Sequence, residues 1–348
     1  MSTQSKPASS SQRNWAAQLA PYTRPSRGRA ILDLATSVVP YFGLLAAMYL
    51  ALDVSYWLTL ALAVPAAGFL LRTFIVFHDC THGSFWPTKR TNDAIGVFCA
   101  LLVMQPYRRW RQHHAVHHGS AGDLDRRGTG DVHTLTAAEY LASPWRARLA
   151  YRLFRNPLVM FGLGPIWALV LQPRLVSRSE PKALRRSALL TNVAVVAFVA
   201  AACLLLGWRE YLLIQVPVVV LAGMAGVFLF YVQHQFEDAY WESGERWDYA
   251  EAALRGSSYL RLPQPLQFFT GNIGLHHVHH LSTRIPNYNL QRAHDENEVF
   301  HDVPVLTLRD GLRSLRLKVF DEESGRMIGW RELRRHRAPT AAPDIASA

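Results

Sequence analysis

Three short stretches of this chain place several imidazoles on one helical face. His114, His117 and His118 stand at i, i+3 and i+4, a spacing that stacks side chains along one side of a helix. His276, His279 and His280 repeat it, and His78 and His82 carry the i, i+4 part. With His113 and His277 beside them, these stretches hold ten of the fifteen histidines. Chance would produce His-x-x-His-His roughly 0.03 times per chain at this composition, yet it occurs twice. Neutral imidazole is a favoured ligand for zinc, copper, iron and nickel, so the chemistry indicated is metal binding.

Eight imidazoles are too many for one tetrahedral or octahedral ion. Two metals are the natural accounting, each able to keep an open position for oxygen or water, as redox catalysis requires. Spacing alone does not name the metal. Soluble di-iron bundles use Glu together with Glu-x-x-His, and that carboxylate pattern is absent. A zinc site that merely staples loops is disfavoured, because such sites are usually closed four-ligand sites, often built on paired cysteines, and no CxxC pair accompanies these histidines. The hydrolytic signature His-Glu-x-x-His is also missing. Cys80, Cys99 and Cys203 form no CxxC pair and read as packing residues.

The elements that position these histidines follow from composition. Half of the chain is hydrophobic, and that half is gathered into long runs, which predicts an all-α membrane protein. Four transmembrane helices are expected in two hairpins, with spans at about 30–51, 56–77, 187–206 and 211–231, each near the roughly 20 residues that cross a bilayer core. The net charge of +11 sits outside the apolar runs and their shortest links. It is read as facing lipid headgroups rather than nucleic acid. Five basic residues precede the first span and none occupies the link around Asp53, placing the N-terminus, the C-terminus and all three histidine groups on the cytoplasmic side. Two shorter stretches, Ala94 to Met104 and Leu158 to Leu171, are expected to lie along that inner face. Residues 1–29 read as a cytoplasmic tail, 30–310 as the integral membrane domain with a helical cytoplasmic cap, and 311–348 as a basic C-terminal tail whose last dozen residues are expected to be disordered. Arg72, inside the second span, is expected to snorkel or to pair with a carboxylate such as Asp79, with a role in binding a substrate headgroup as the sharper alternative. Preference for Arg over Lys and abundant Ala suggest a GC-rich bacterial genome, so the membrane is expected to be a bacterial inner (cell) membrane.

HDCTHGSF at 78–85, HHAVHHGSAGDLDRRGTGDV at 113–132 and NIGLHHVHHLSTRIPNYNL at 272–290 resemble the three histidine boxes of membrane fatty acid desaturases, above all the bacterial acyl-lipid group related to Δ12 (omega-6) enzymes. The likeness implies two non-haem iron ions, O₂ as co-substrate, and a cis double bond introduced into a membrane acyl chain. By that likeness His78, His82, His114, His117, His118, His276, His279 and His280 carry over as ligands. His234, a lone helix-end histidine that sequence alone would leave as an ordinary polar residue, stands where the family has a further ligand. His114 rather than His113 reproduces the family's His-x-x-His-His. The likeness assigns catalysis to the metal centre itself, with no separate acid or base.

Asp79, Asp123, Asp125, Asp131 and Asp238 are candidates for orienting ligand imidazoles, and their alternative is loop capping or pairing with Arg126 and Arg127. His113 and His277 are expected in the surroundings of the site or facing solvent. Asn272 could reach a metal through water or start a helix. No His-Pro-Gly-Gly haem motif occurs, so electrons are expected from a separate donor such as ferredoxin or cytochrome b5. Two rival readings remain: a membrane hydroxylase or ketolase acting on an alkyl, lipid or carotenoid substrate with the same metals, and a non-enzymatic membrane metal-binding protein.

Overall fold

A computed structural model describes residues 10–335. Helix α1 (Ser10–Leu19) leads into the first hairpin, α2 (Arg27–Ala51) and α3 (Tyr56–His82). Helices α4 (Lys89–Leu102), α5 (Tyr107–Ser120), α6 (Ala137–Ala142) and α7 (Trp145–Phe154) follow. The second hairpin is α8 (Lys182–Leu206) and α9 (Trp208–His234). The rest is α10 (Tyr249–Arg255), strand β1 (Tyr259–Arg261), α11 (Gln264–Phe269), α12 (His276–Leu281), α13 (Asn287–Asp295), β2 (Val305–Thr307), α14 (Leu308–Ser314), β3 (Leu317–Asp321), β4 (Arg326–Gly329) and α15 (Trp330–Leu333).

The predicted spans correspond to α2, α3, α8 and α9, all long and apolar enough to cross a membrane. Each extends beyond its apolar run, because a helix in a bilayer satisfies its own backbone and need not stop where hydrophobicity does. Between them, Ala63, Ala66 and Ala67 of α3 and Ala222 of α9 are buried against Tyr41 and Met48 of α2. Small side chains let the backbones approach, as packing inside lipid requires. Of the two shorter stretches, Ala94 to Met104 lies mostly in α4, while Leu158 to Leu171 forms π-helical turns whose axis bends by 63° from α7.

The expected tails are folded where they are described. Leu19 and Tyr22 are buried beside Leu290 and Ala293 of α13, and the Tyr22 hydroxyl donates to Glu296 at 2.6 Å. Trp15, Leu19 and Tyr22 recur at helical spacing, so this segment has an apolar stripe to bury. After residue 311, the antiparallel pair β3–β4 buries Val319 and Ile328 against Tyr140 and Tyr151. Lys318 Nζ donates to the carbonyls of Arg155 and Leu315. These strands, with the short parallel pair β1–β2, are the small β component of an otherwise helical protein. The last dozen residues, expected to be disordered, lie outside the described residues.

Candidate metal centre

Four elements bring the histidines together. Helix α3 runs on to His82 and ends at Gly83, whose φ of 73° lies in the left-handed region open to glycine. Its N–H caps the carbonyls of Asp79 and Cys80, which leaves His78 and His82 on the last turn. Helix α5 starts after Pro106 and carries the second group. His234 is the final residue of α9. Helix α12 is only six residues long and every one is buried. It is held by the largest core cluster, which joins Leu71 and Ile75 of α3, Val232 of α9, and Leu275, Val278 and Leu281 around the third group. Just before it, the Gly274 backbone passes so close to β1 that a Cβ would stand 2.4 Å from the Leu260 carbonyl oxygen.

All nine histidines singled out as ligands converge in two groups. One contains His78, His82, His114, His118 and His279, the other His117, His234, His276 and His280, with the nitrogens of each group within 4.8 Å of one another. In both α5 and α12 the i, i+4 pair stays together while the i+3 residue joins the other group. The groups are neighbours: the His118 and His280 ring centroids lie 4.1 Å apart.

The nitrogen geometry suits metal ions. In the five-histidine group, successive Nε2 atoms of His78, His114, His118 and His279 are 2.9, 3.0 and 3.0 Å apart. In the four-histidine group, His234 to His276 and His276 to His280 are 3.0 and 3.1 Å. With metal–nitrogen bonds of about 2.1 Å, the edge of an octahedron is about 3.0 Å and that of a tetrahedron about 3.4 Å. Both edges lie close to these spacings, so the nitrogens of each group stand where ligands of one ion would. Protons alone cannot satisfy it, because a neutral ring nitrogen offers one proton or one lone pair, whereas His114 and His118 each face two other nitrogens. His82 Nε2 and His117 Nε2 are buried without a protein partner. Burial, reinforced by neighbouring imidazoles, pushes His114, His118, His276, His279 and His280 well below the ordinary histidine value, keeping them neutral with lone pairs free.

Three rings have their second nitrogen fixed. Asp79 Oδ1 lies 3.1 Å from His78 Nδ1, Asp131 Oδ1 lies 2.5 Å from His117 Nδ1, and the Gly256 carbonyl lies 3.1 Å from His234 Nδ1. Such acceptors hold the proton on Nδ1 and direct the Nε2 lone pair inward. Asp79 and Asp131 are the two of these carboxylates that stand against ligand-candidate imidazoles. Asp123, Asp125 and Asp238 do not contact these rings. Asp123 is fully buried but caps its own loop through Arg126 and the Asp125 N–H. Asp125 accepts from the Gly244 N–H, and Asp238 is exposed. Short loop carboxylates serve nearby backbone and guanidinium donors more readily than a distant ring.

His277 points away from both groups, its Nε2 lying 3.1 Å from His294 Nδ1. Burial, with His294 beside it, pushes its pKa down to about 3. His113 is half-buried outside both groups. Asn272 makes a turn with φ of 59° and donates to the Asn287 carbonyl, so it shapes the entry to α12. Arg72 pairs with Asp33 rather than Asp79, donates to the Phe268 carbonyl, and lies 4.1 Å over the Phe268 ring. That commits its guanidinium internally instead of to a headgroup.

Sequence reasoning missed Asp33, Asn287 and the Gly256 carbonyl. A carboxylate within a predicted span is expensive, so Asp33 was a legible signal. The carbonyl carries none.

A fatty acid desaturase family model matches residues 55–305. A fatty acid desaturase of Bacillus subtilis is 46% identical over 327 residues, covering 94% of this chain and 93% of that protein. The sn-1 oleoyl-lipid 12-desaturase of Synechocystis is 28% identical over 261 residues, 74% of each chain. The sn-1 acyl-lipid omega-3 desaturase (ferredoxin) of the same organism is 29% identical over 231 residues, 63% of this chain and 62% of its own.

Proposed function

The chain belongs to the fatty acid desaturase family, an oxidoreductase family of lipid metabolism, and from that premise we propose that it introduces a cis double bond into the acyl chain of a membrane lipid using O₂ and two iron ions. The observation that carries this reading is the pair of histidine groups with nitrogen spacings near 3 Å. His78, His82, His114, His118 and His279 would hold one ion, and His117, His234, His276 and His280 the other. With five and four protein nitrogens, each ion would keep a position open for oxygen or water. When bound, the irons supply the redox capacity to use O₂ against an unactivated C–H bond.

The chain's own residues prepare that chemistry. Asp79, Asp131 and the Gly256 carbonyl hold protons on the Nδ1 atoms of His78, His117 and His234, so each ring offers Nε2. Burial of α12 and of the last turn of α3 excludes bulk water from the centre and keeps the imidazoles neutral. The position of His78, His82 and His234 at the ends of apolar helices puts the centre where a lipid tail can reach it. The overall balance is –CH₂–CH₂– + O₂ + 2 e⁻ + 2 H⁺ → –CH=CH– + 2 H₂O, so two electrons must arrive from outside. A separate carrier such as ferredoxin or cytochrome b5 supplies them, and an acidic carrier suits the excess of 37 basic over 26 acidic residues. The charge distribution supports a reading in which both termini and the metal centre face the cytoplasm at a bacterial cell membrane.

The test is expression in a host of defined lipid content, followed by fatty acid analysis. New cis-unsaturated acyl chains that vanish in the His117→Ala variant are the expected result. Hydroxylated or keto products would replace this reading by oxygen insertion, and an unchanged lipid profile with metal bound would favour a storage role.

A further inference from the structure

One buried polar network extends away from the centre, and Asn287 is its hub. The Asn287 backbone N–H donates to Asp79 Oδ2 at 2.6 Å. Its side-chain amide donates to the same oxygen at 3.0 Å and to Asp33 Oδ2 at 2.9 Å. The other Asp79 oxygen faces His78 Nδ1, and Asp33 in turn holds Arg72. His78, Asp79, Asp33 and Asn287 are 3%, 1%, 5% and 1% exposed, so these contacts are shielded from bulk solvent.

The chemistry at Asn287 permits one arrangement. Two carboxylates converge on its amide, which must therefore present NH₂ and not oxygen to both. Asn287 is also the first residue of α13, where free N–H groups and the helix dipole favour an anion. Asp79 is thus gripped through Oδ2 by a helix end and an amide, leaving Oδ1 free to accept from His78. We propose that Asn287 is a positioning residue for His78, acting through Asp79, and that its amide ties the α2–α3 hairpin to the segment following the third histidine group. Without the amide, Asp33 and Asp79 face each other with one fewer shared donor, and the carboxylate that orients His78 can turn. This inference rests on the two-iron reading above.

The test compares Asn287→Ala with Asn289→Ala in full-length protein loaded with ⁵⁷Fe. Asn289 is a control on the same helix. It is buried and anchors α13 through Arg29 and the Tyr22 carbonyl, outside this network. Asn287→Ala is expected to change the Mössbauer signature of one iron environment and leave the other unchanged, and to weaken metal binding about 10- to 100-fold at that position. It should lower kcat with little change in KM, and Asn287→Gln should recover part of the loss. Asn289→Ala should lower thermal stability while leaving both iron environments as they were. If Asn287→Ala does not fold, Asn287→Gln must by itself shift one iron signature. Spectra identical to wild type in every folded Asn287 variant, or equal shifts in both irons or in the Asn289 control, would overturn the inference. Wild-type protein holding no iron would overturn the two-iron reading and this inference with it.

Discussion

His118 and His279 stand 161 residues apart in the chain, yet their Nε2 atoms approach to 3.0 Å. Each comes from a His-x-x-His-His motif that also supplies the other group, so α5 and α12 are interlocked across both halves of the centre.

His280→Ala should therefore affect the four-histidine group first. We expect bound iron to fall from two per chain toward one and desaturation to drop by more than about 100-fold. His277→Ala, outside both groups, should retain two irons. Iron analysis of the purified proteins beside lipid profiling checks this, and equal iron loss in both variants would refute the partition.

Asp131→Ala should weaken metal binding at the group containing His117 by about 10- to 100-fold, because the His117 proton then has no fixed acceptor. Asp125→Ala, which removes a loop contact to Gly244, should leave metal affinity within about twofold. Titration of metal-free protein with Fe²⁺ under anaerobic conditions separates the two.

The protein stripped of metal should become less stable as pH falls below about 6.5, the ordinary histidine value. Buried imidazoles such as His276, His279 and His280 have folded pKa values well below that. Over that range the unfolded chain therefore binds more protons than the native state, and unfolding free energy rises with pH. Each such group contributes a slope of up to about 1.4 kcal/mol per pH unit below the ordinary value. Metal should suppress the loss until protons displace it at lower pH. Thermal melts between pH 7.5 and 5.5, with and without metal, test the sign; a flat profile without metal would contradict it.

Asp33→Ala should destabilise the protein by about 3–5 kcal/mol, since it strands the largely buried Arg72 guanidinium. Replacing Asp33 and Arg72 together with apolar residues should recover part of that cost. Unfolding measured in one detergent for the single and double variants gives the comparison, and a double variant worse than the sum of its parts would reverse the argument.

Much of this protein is set by local rules. Twenty-residue apolar runs make spanning helices because a bilayer leaves the backbone no partner but itself. Histidines at i, i+3 and i+4 share a helical face whatever the rest of the chain does, so four spans and eight candidate ligands were legible from spacing, while the ninth, His234, was legible only through the family resemblance. The structure keeps 114 with 118 and 276 with 280, in accord with helix geometry, where i, i+4 neighbours are offset by about 40° while i+3 and i+4 differ by about 100°.

Only the tertiary structure decided which ridge of α5 meets α3 and which meets α9, and hence that His117 joins His234 while His118 joins His279. It also decided that Asp131, not Asp123 or Asp125, reaches a ring, and that Asp33 and Asp79 share Asn287 across more than two hundred residues. Those outcomes depend on packing between segments distant in sequence, where a buried donor takes whichever acceptor the fold delivers. No spacing along the chain records that choice.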